Sequence, residues 1–345
     1  MAAPVQIGLD IGSTSVRAVE TSRGKGGKGP ASVTTFGQAD LPAGAVRAGS
    51  IHDAEAVILA IKQIWSEHAF RSKQVILGIS SHQAVVREIS LPDLPERDLR
   101  AALPHLVSEV LPMPVENALL DFYPLEPAGQ GGQRRGLLIA APREQVTTTV
   151  SVVERAGLTV ARVDLASFAV LRAAARPGGE QEAIVDLGAR TTTVLVHADG
   201  IPRMVRTVPR GGDEVTAAVA AGLGIEVEEA EAVKRRVGVL ADEDPWTTDV
   251  VADALRPLVH EIRSSLAYLA GGEHGTVVTR LGLCGGGALM PGLTAYLADE
   301  LDVDVYLADP LMRVSSVARR GSGSELSVHR CAAAVSVGLT LMAAS

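Results

Sequence analysis

Two stretches of this chain repeat one another half a chain apart, and that duplication limits the folds open to it more than any other feature. The first runs Ile7-Gly8-Leu9-Asp10-Ile11-Gly12-Ser13-Thr14-Ser15-Val16, the second Ile184-Val185-Asp186-Leu187-Gly188-Ala189-Arg190-Thr191-Thr192-Thr193-Val194. Each sets an apolar run, an Asp, one apolar residue, a Gly and then hydroxyl residues in the same order, which reads as a strand, a tight turn and a returning strand. A repeat at half the chain length predicts two similar halves, each bringing one hairpin to a shared cleft. Gly12 and Gly188 let backbone N–H groups approach an anion closely, and Ser13, Thr14, Thr191 and Thr192 add hydroxyl donors around it. Asp10 and Asp186 would repel a phosphate directly. Their expected role is to hold a divalent cation, Mg through its waters, that bridges to the phosphate oxygens. A single Asp-x-Gly hairpin is common turn chemistry, whereas two in this relation point to function.

A third glycine element, Leu283-Cys284-Gly285-Gly286-Gly287-Ala288-Leu289-Met290-Pro291-Gly292, joins a buried strand to a helix through backbone almost free of side chains. A flat or bulky group can pass there, though a tight strand-to-helix turn explains it equally well. The dinucleotide fingerprint G-x-G-x-x-G is not matched, and the element lies late in the chain. Gly24-Lys25-Gly26-Gly27-Lys28-Gly29 misses the P-loop spacing and carries Gly29 where a hydroxyl is needed, so it reads as a hairpin connector.

Composition sets the limits around these motifs. With 345 residues, 47% of them hydrophobic but only 3% aromatic, the core must be aliphatic, as in a layered α/β protein. A net charge of -8, with no Lys/Arg stripe interleaved with aromatics, argues against a nucleic-acid partner. Cys284 and Cys331 form no CxxC pair, which fits a reducing compartment. Met1 to Asp10 lacks the pattern of a secretory signal, and the most apolar stretch, Cys331 to Ala344, is shorter than the roughly 20 residues of a spanning helix. A cytoplasmic location is expected, and the eight histidines show no metal-ligand spacing.

Periodicity predicts a helix over 53–68, a strand at 73–80, a strand at 160–165 and a helix at 167–175, with a break at Arg176-Pro177-Gly178-Gly179. Beyond it come the second hairpin, a strand at 202–208, helices opening at Gly211-Gly212-Asp213 and spanning 227–237 and 246–270, then a strand at 280–287 and helices at 291–300 and 331–344. Proline-punctuated elements between 82 and 158 suggest an inserted α+β subdomain, with a helix at 96–111 that Pro104 should kink or shorten. The expected division is a first lobe of 1–81, 159–180 and 331–345, an insertion at 82–158, and a second lobe at 181–330.

The three glycine elements in this order resemble the actin-like ATPase superfamily. That resemblance implies an actin-like, duplicated ribonuclease H-like α/β fold with ATP and Mg between the lobes. It places Asp10, Gly12, Ser13, Thr14 and Ser15 in the first phosphate loop and Asp186, Gly188, Thr191 and Thr192 in the second. Gly285, Gly286, Gly287 and Ala288 would form the adenosine pocket, with Gly212 also on the nucleotide. Ala230-Glu231-Ala232-Val233-Lys234 resembles the helix whose Glu and Lys reach ribose and base, and Glu231 and Lys234 share one helix face.

The insertion is similar to the SHS2-type subdomain of the cell-division protein FtsA. Within it, Glu109-Val110-Leu111-Pro112-Met113-Pro114-Val115-Glu116-Asn117, followed by Leu120-Asp121-Phe122, resembles a signature of the type IV pilus assembly PilM family. The resemblance implies an ATP-binding scaffold that docks the N-terminal cytoplasmic tail of the inner-membrane protein PilN in a groove beside the insertion. Through that partner it would join the inner-membrane pilus assembly complex at the inner face of the plasma membrane; self-association is also open to it. Ala166 stands where many relatives carry an acid near the attacking water, which implies a weak ATPase at most and leaves Asp164 as a substitute beside Asp10 and Asp186. Pro104 and His105 depart from the acidic helix of relatives and put the shape of the partner-facing surface in question. The rivals are an FtsA-like division protein, expected to end in a membrane-targeting amphipathic helix absent here, and a small-molecule kinase, for which no acceptor site is visible.

Overall fold

The computed structural model describes residues 5–24, 29–125, 132–176, 178, 181–240, 244–271, 277–317 and 322–342. Most of the Gly24 to Gly29 connector and part of the 176–179 break lie outside the described residues.

Two sheets repeat one topology. In the first lobe the strand order is Thr159–Leu165, Gln74–Ile79, Val5–Ile11, Ser15–Ser22, Ala31–Asp40 and Val314–Val317. In the second it is Asp304–Leu307, Arg280–Cys284, Gln181–Leu187, Thr192–Ala198 and Ile201–Val208. Each builds an antiparallel meander on its hairpin and extends it on the other side with two parallel strands. The hairpin registers match as well: Asp10 faces Arg17 and Ile11 faces Val16, while Asp186 faces Thr193 and Leu187 faces Thr192. The half-chain repeat is therefore a repeat of structure.

Each sheet buries aliphatic side chains on both faces. Helix Ala54–Glu67, capped by Asp53, which accepts from the Ala56 N–H, lays Val57, Ile58, Ile61 and Ile64 on the first sheet. Helices Ala166–Ala174 and Ala334–Thr340 pack on its other side, Ala334–Thr340 directly against Val5–Ile11. In the second lobe, helices Gly212–Leu223, Val227–Val237 and Pro245–Ala270 cover one face and Leu293–Leu301 joins the same core. Asp244 accepts from the Thr247 N–H and Pro245 fills the first turn, so the 26-residue helix starts at a defined point.

The insertion holds a three-stranded antiparallel sheet ordered Val85–Pro92, Gln133–Pro142, Ala118–Pro124, with helix Glu96–Val107 on one face. Pro104 sits in the last turn of that helix, where it removes one intrahelical hydrogen bond, and the helix ends four residues short of the expected Leu111. Helix Arg143–Arg155, inside the expected 82–158 insertion, buries Val146, Val152 and Val153 in the first-lobe core. Val314–Val317, expected in the second lobe, pairs with Ala31–Asp40 in the first-lobe sheet. The C-terminal segment expected as one helix opens with a 3-10 turn at Arg330–Ala333 before Ala334–Thr340.

Candidate functional site

The two hairpins place their turns alike. The Gly12 N–H donates to the Ser15 carbonyl at 3.0 Å, and the Gly188 N–H to the Thr191 carbonyl at 2.9 Å. Asp10 and Asp186 lie just before these turns and act on one another through space. Burial pushes Asp10 up to about 6, against the pull of Arg17. Asp186 also rises to about 6, first through burial and then through the Asp10 charge, opposed by Arg17 and by a hydrogen bond with the Cys284 thiol. Arg17 itself is lowered by burial and held up by Asp10, Asp186 and Asp40. Its Nε donates to Gln38 Oε1 at 2.8 Å, which fixes the guanidinium in this company. One cation shared among three carboxylates leaves negative potential around the two hairpin aspartates.

The other glycine elements lean on the second hairpin. Gly212 and Asp213 open helix Gly212–Leu223 by donating to the carbonyls of Gly188 and Ala189 at 3.0 and 2.8 Å. A Cβ on Gly211 would lie 2.5 Å from the Gly188 carbonyl oxygen, so only glycine allows this approach. Gly285 has φ +84 and a virtual Cβ 2.5 Å from Asp186 Oδ1 and 2.4 Å from the Leu187 carbonyl oxygen. The turn that begins the 3-10 segment Gly286–Leu289 thus rests on Asp186. Gly286 is exposed and faces open space, Gly287 is partly exposed, and Ala288 is buried beneath them.

Lys234 and Glu231 stand close by, and both are heavily engaged. Lys234 Nζ donates to the Gly212 carbonyl at 3.1 Å and to Thr216 Oγ1 at 2.8 Å, and pairs with Glu231 Oε2 at 2.5 Å. Glu231 also accepts from Thr216 and from Arg235. Burial would raise the Glu231 carboxyl, but these hydrogen bonds outweigh it and leave it below its ordinary value. The pair buttresses the Gly211-Gly212 turn. Asp164 is engaged within the first lobe: one oxygen accepts from the Leu165 N–H and the other pairs with Arg172. Ala166, beside it, is buried.

These residues suit a phosphorylated ligand with a divalent cation. Ser15 Oγ is buried without a hydrogen-bond partner among the described residues, Gly188, Gly211 and Gly285 bring backbone together where a Cβ would intrude, and two carboxyls share insufficient positive charge. Among the described residues no cluster of three or more His, Cys, Asp or Glu could cage a metal, so the remaining ligands of a cation at Asp10 and Asp186 would be water and phosphate oxygen. Arg17, Gln38 and Gly211 were not singled out from the sequence. Arg17 was within reach, since a hairpin turning at Gly12 to Thr14 pairs it with Asp10.

A second concavity lies on the insertion. Arg100, Leu103, Pro104, Leu119, Asp121 and Arg143 line a hollow of about 420 Å³. It shares Arg100, Leu103 and Asp121 with a neighbour of about 320 Å³ that extends to Leu94 and Phe122. The two make a groove between helix Glu96–Val107 and the edge strand Ala118–Pro124.

Comparison with known proteins fits this geometry. A family model described as type IV pilus assembly protein PilM matches residues 8–344. A solved structure of a PilM-PilN type IV pilus biogenesis complex is 26% identical and superposes with a TM-score of 0.84 over 97% of both chains. MreB5 of Spiroplasma citri bound to ADP shares the fold at 13% identity, with a TM-score of 0.58 over 97% of this chain and 94% of that one. Among curated proteins, the cell division protein FtsA of Bacillus subtilis (strain 168) is 23% identical over 88% of this chain and 78% of its own length. FtsA of Escherichia coli (strain K12) is 25% identical over 67% of this chain, which spans 60% of that protein.

Proposed function

This chain belongs to the PilM family of type IV pilus assembly proteins, and we propose from that membership that it is an ATP-binding scaffold of the pilus machinery. Its fold is the actin-like ATPase fold. The observation that carries the nucleotide reading is the convergence of Asp10, Asp186 and Gly285: two under-neutralised carboxyls, and a glycine turn resting on one of them, between two phosphate-sized hairpin turns. Asp10 and Asp186 would hold Mg through water, and the Gly12, Ser13, Thr14, Ser15, Gly188 and Thr191 turns would receive the phosphates, with the buried Thr192 bracing the second turn through its hydroxyl on the Arg210 carbonyl. Gly212 and Gly285 to Ala288 would flank the nucleoside, with Glu231 and Lys234 behind them. Mg would neutralise the phosphate charge and orient the terminal phosphate. With Asp164 tied to Arg172 and Ala166 buried and apolar, no free acid is offered to an attacking water at those positions, which supports binding with slow hydrolysis at most.

The partner would be the short N-terminal cytoplasmic tail of PilN, received along the groove of the insertion. No helix among the described residues is long and apolar enough to cross a membrane, so recruitment to the inner membrane would run through that partner. Titrating the full chain calorimetrically with a synthetic PilN tail peptide, with and without Mg-ATP, tests both parts. Saturable binding with a dissociation constant in the micromolar range, shifted about threefold or more by Mg-ATP, is the expected result. A peptide that fails to bind in either state removes the partner assignment, and failure of Mg-ATP itself to bind removes the cleft.

A further inference from the structure

The three-stranded sheet of the insertion is a plate with the partner groove on one face and the nucleotide lobes on the other. Alternate residues of a strand face opposite sides of its sheet, and the central strand Gln133–Pro142 sorts its side chains by that rule. Leu138 packs with Leu99 and Leu103 of the helix that walls the groove. Leu137 and Ile139 face the other way, into an apolar cluster that includes Ile184, Leu195 and Val205 of the second lobe. Cys284, whose thiol hydrogen-bonds Asp186, belongs to that same cluster. One continuous apolar body therefore runs from the floor of the cleft to the back of the plate.

The plate is held differently at its two edges. Along the edge strand Ala118–Pro124, the Tyr123 ring lies 6.1 Å from that of Phe168 in the first lobe, and Arg143 donates to the carbonyls of Glu116 and Ala118. The opposite edge strand, Val85–Pro92, lies against Ile201–Val208 of the second lobe, yet the two belong to different sheets and form no ladder. A ladder would fix register, whereas apolar contact without one is non-directional and slides at little cost. A plate fixed to one lobe and resting on the other must tilt when the lobes turn.

We propose that this unladdered junction, where Val205 of the second lobe shares one apolar cluster with Val86 and Leu137 of the insertion, transmits nucleotide occupancy of the cleft to the partner groove. The inference rests on the cleft reading above and adds the route by which cleft and groove communicate. By reciprocity, a ligand in the groove would alter nucleotide affinity by the same factor.

Hydrogen exchange of the full chain, apo against Mg-AMPPNP, reads the route without needing the partner. In the wild type we expect exchange at 85–92 and 118–124 to change by about threefold or more, alongside protection of both hairpins. Val205→Ala and Val86→Ala trim the junction from either side; each should keep nucleotide affinity within about twofold while losing more than half of the insertion's response. Protected hairpins with a silent insertion, or variants whose insertion responds as the wild type does, would overturn the junction alone. Silence everywhere, with no binding of Mg-AMPPNP, would overturn the cleft reading and this inference together.

Discussion

Glu182 and Asp186 lie four residues apart on the same central strand, at opposite ends, and their carboxyls have opposite fates. Burial would raise Glu182, yet hydrogen bonds from His197, Tyr306 and the Arg176 N–H hold it down to about 2. Gly200 donates to His197 Nδ1, which leaves Nε2 to donate to Glu182 at 3.1 Å, and Arg280 adds a fourth donor at 3.2 Å. Asp186 has for neighbours a thiol, an aspartate and a shared arginine, and rises to about 6. A carboxylate that serves the fold is saturated with donors. One kept short of them is poised to take a cation from outside.

The largest effect should come from disturbing the saturated end. Glu182→Ala strands a buried imidazole and a tyrosine hydroxyl, and should cost about 3–5 kcal/mol in denaturant unfolding. Glu182→Gln keeps acceptor geometry for some of these donors and should cost about half as much. If both variants unfold like the wild type, the network does not support the fold and the contrast with Asp186 loses its meaning. The sign with pH follows from the lowered value: the stability Glu182 contributes is fully present above its unfolded value near 4.5 and is lost as pH falls through about 2.

The Asp186 half of this contrast is legible in the sequence, and the Glu182 half is not, for physical reasons. The repeat of Asp10-Ile11-Gly12 in Asp186-Leu187-Gly188 announced both hairpins because a turn is a local event, fixed by a few adjacent residues. Ala31–Asp40 was missed since its Phe36, Ala39 and Gly37 show no clean alternation, and its place depends on pairing with Ser15–Ser22. The short strands Asp304–Leu307 and Val314–Val317 are set by which sheet edge they reach, which no local pattern encodes. Helix Arg143–Arg155 lies within the 82–158 stretch that the sequence marks as an insertion, yet its Val146 and Val153 pack in the first-lobe core, a choice that no local pattern encodes. The Glu182 cluster draws on His197, Arg280 and Tyr306 from three other strands, and such an assembly leaves no contiguous trace.

At the unsaturated end the trade should reverse. Asp186→Asn removes a carboxyl the apo fold would sooner see protonated, so apo stability should be unchanged or higher at pH 8, while Mg-nucleotide affinity should fall about 30-fold, near 2 kcal/mol. Since the folded value lies above the unfolded one near 3.8, the native state binds the extra proton between about pH 4 and 6. Wild-type stability contributed by this group is present below that window and lost as pH rises through it. The thermal midpoint of Asp186→Asn minus that of the wild type should therefore grow from pH 4 to 6.5 without ligand and shrink when Mg-nucleotide is added. A flat difference would mean that Asp186 is as well satisfied as Glu182.

The smallest effect sharpens the comparison at the level of a single hydroxyl. Thr192 Oγ1 is buried and donates to the Arg210 carbonyl at 2.8 Å, so its hydrogen-bonding capacity serves the second lobe. Ser15 Oγ, buried in the first hairpin, has no such partner. Replacing Thr192 with Val should destabilise the apo protein by about 1 kcal/mol through the orphaned carbonyl, with nucleotide affinity changed less than about twofold. Ser15→Ala should leave the apo thermal midpoint unchanged, because nothing is unpaired by it, and weaken nucleotide binding about fivefold if the hydroxyl turns to a phosphate oxygen. The pair separates a hydroxyl built into the fold from one held in reserve for a ligand. Loss of stability in Ser15→Ala, with affinity intact, would place both hydroxyls in the first class and take Ser15 out of the phosphate loop.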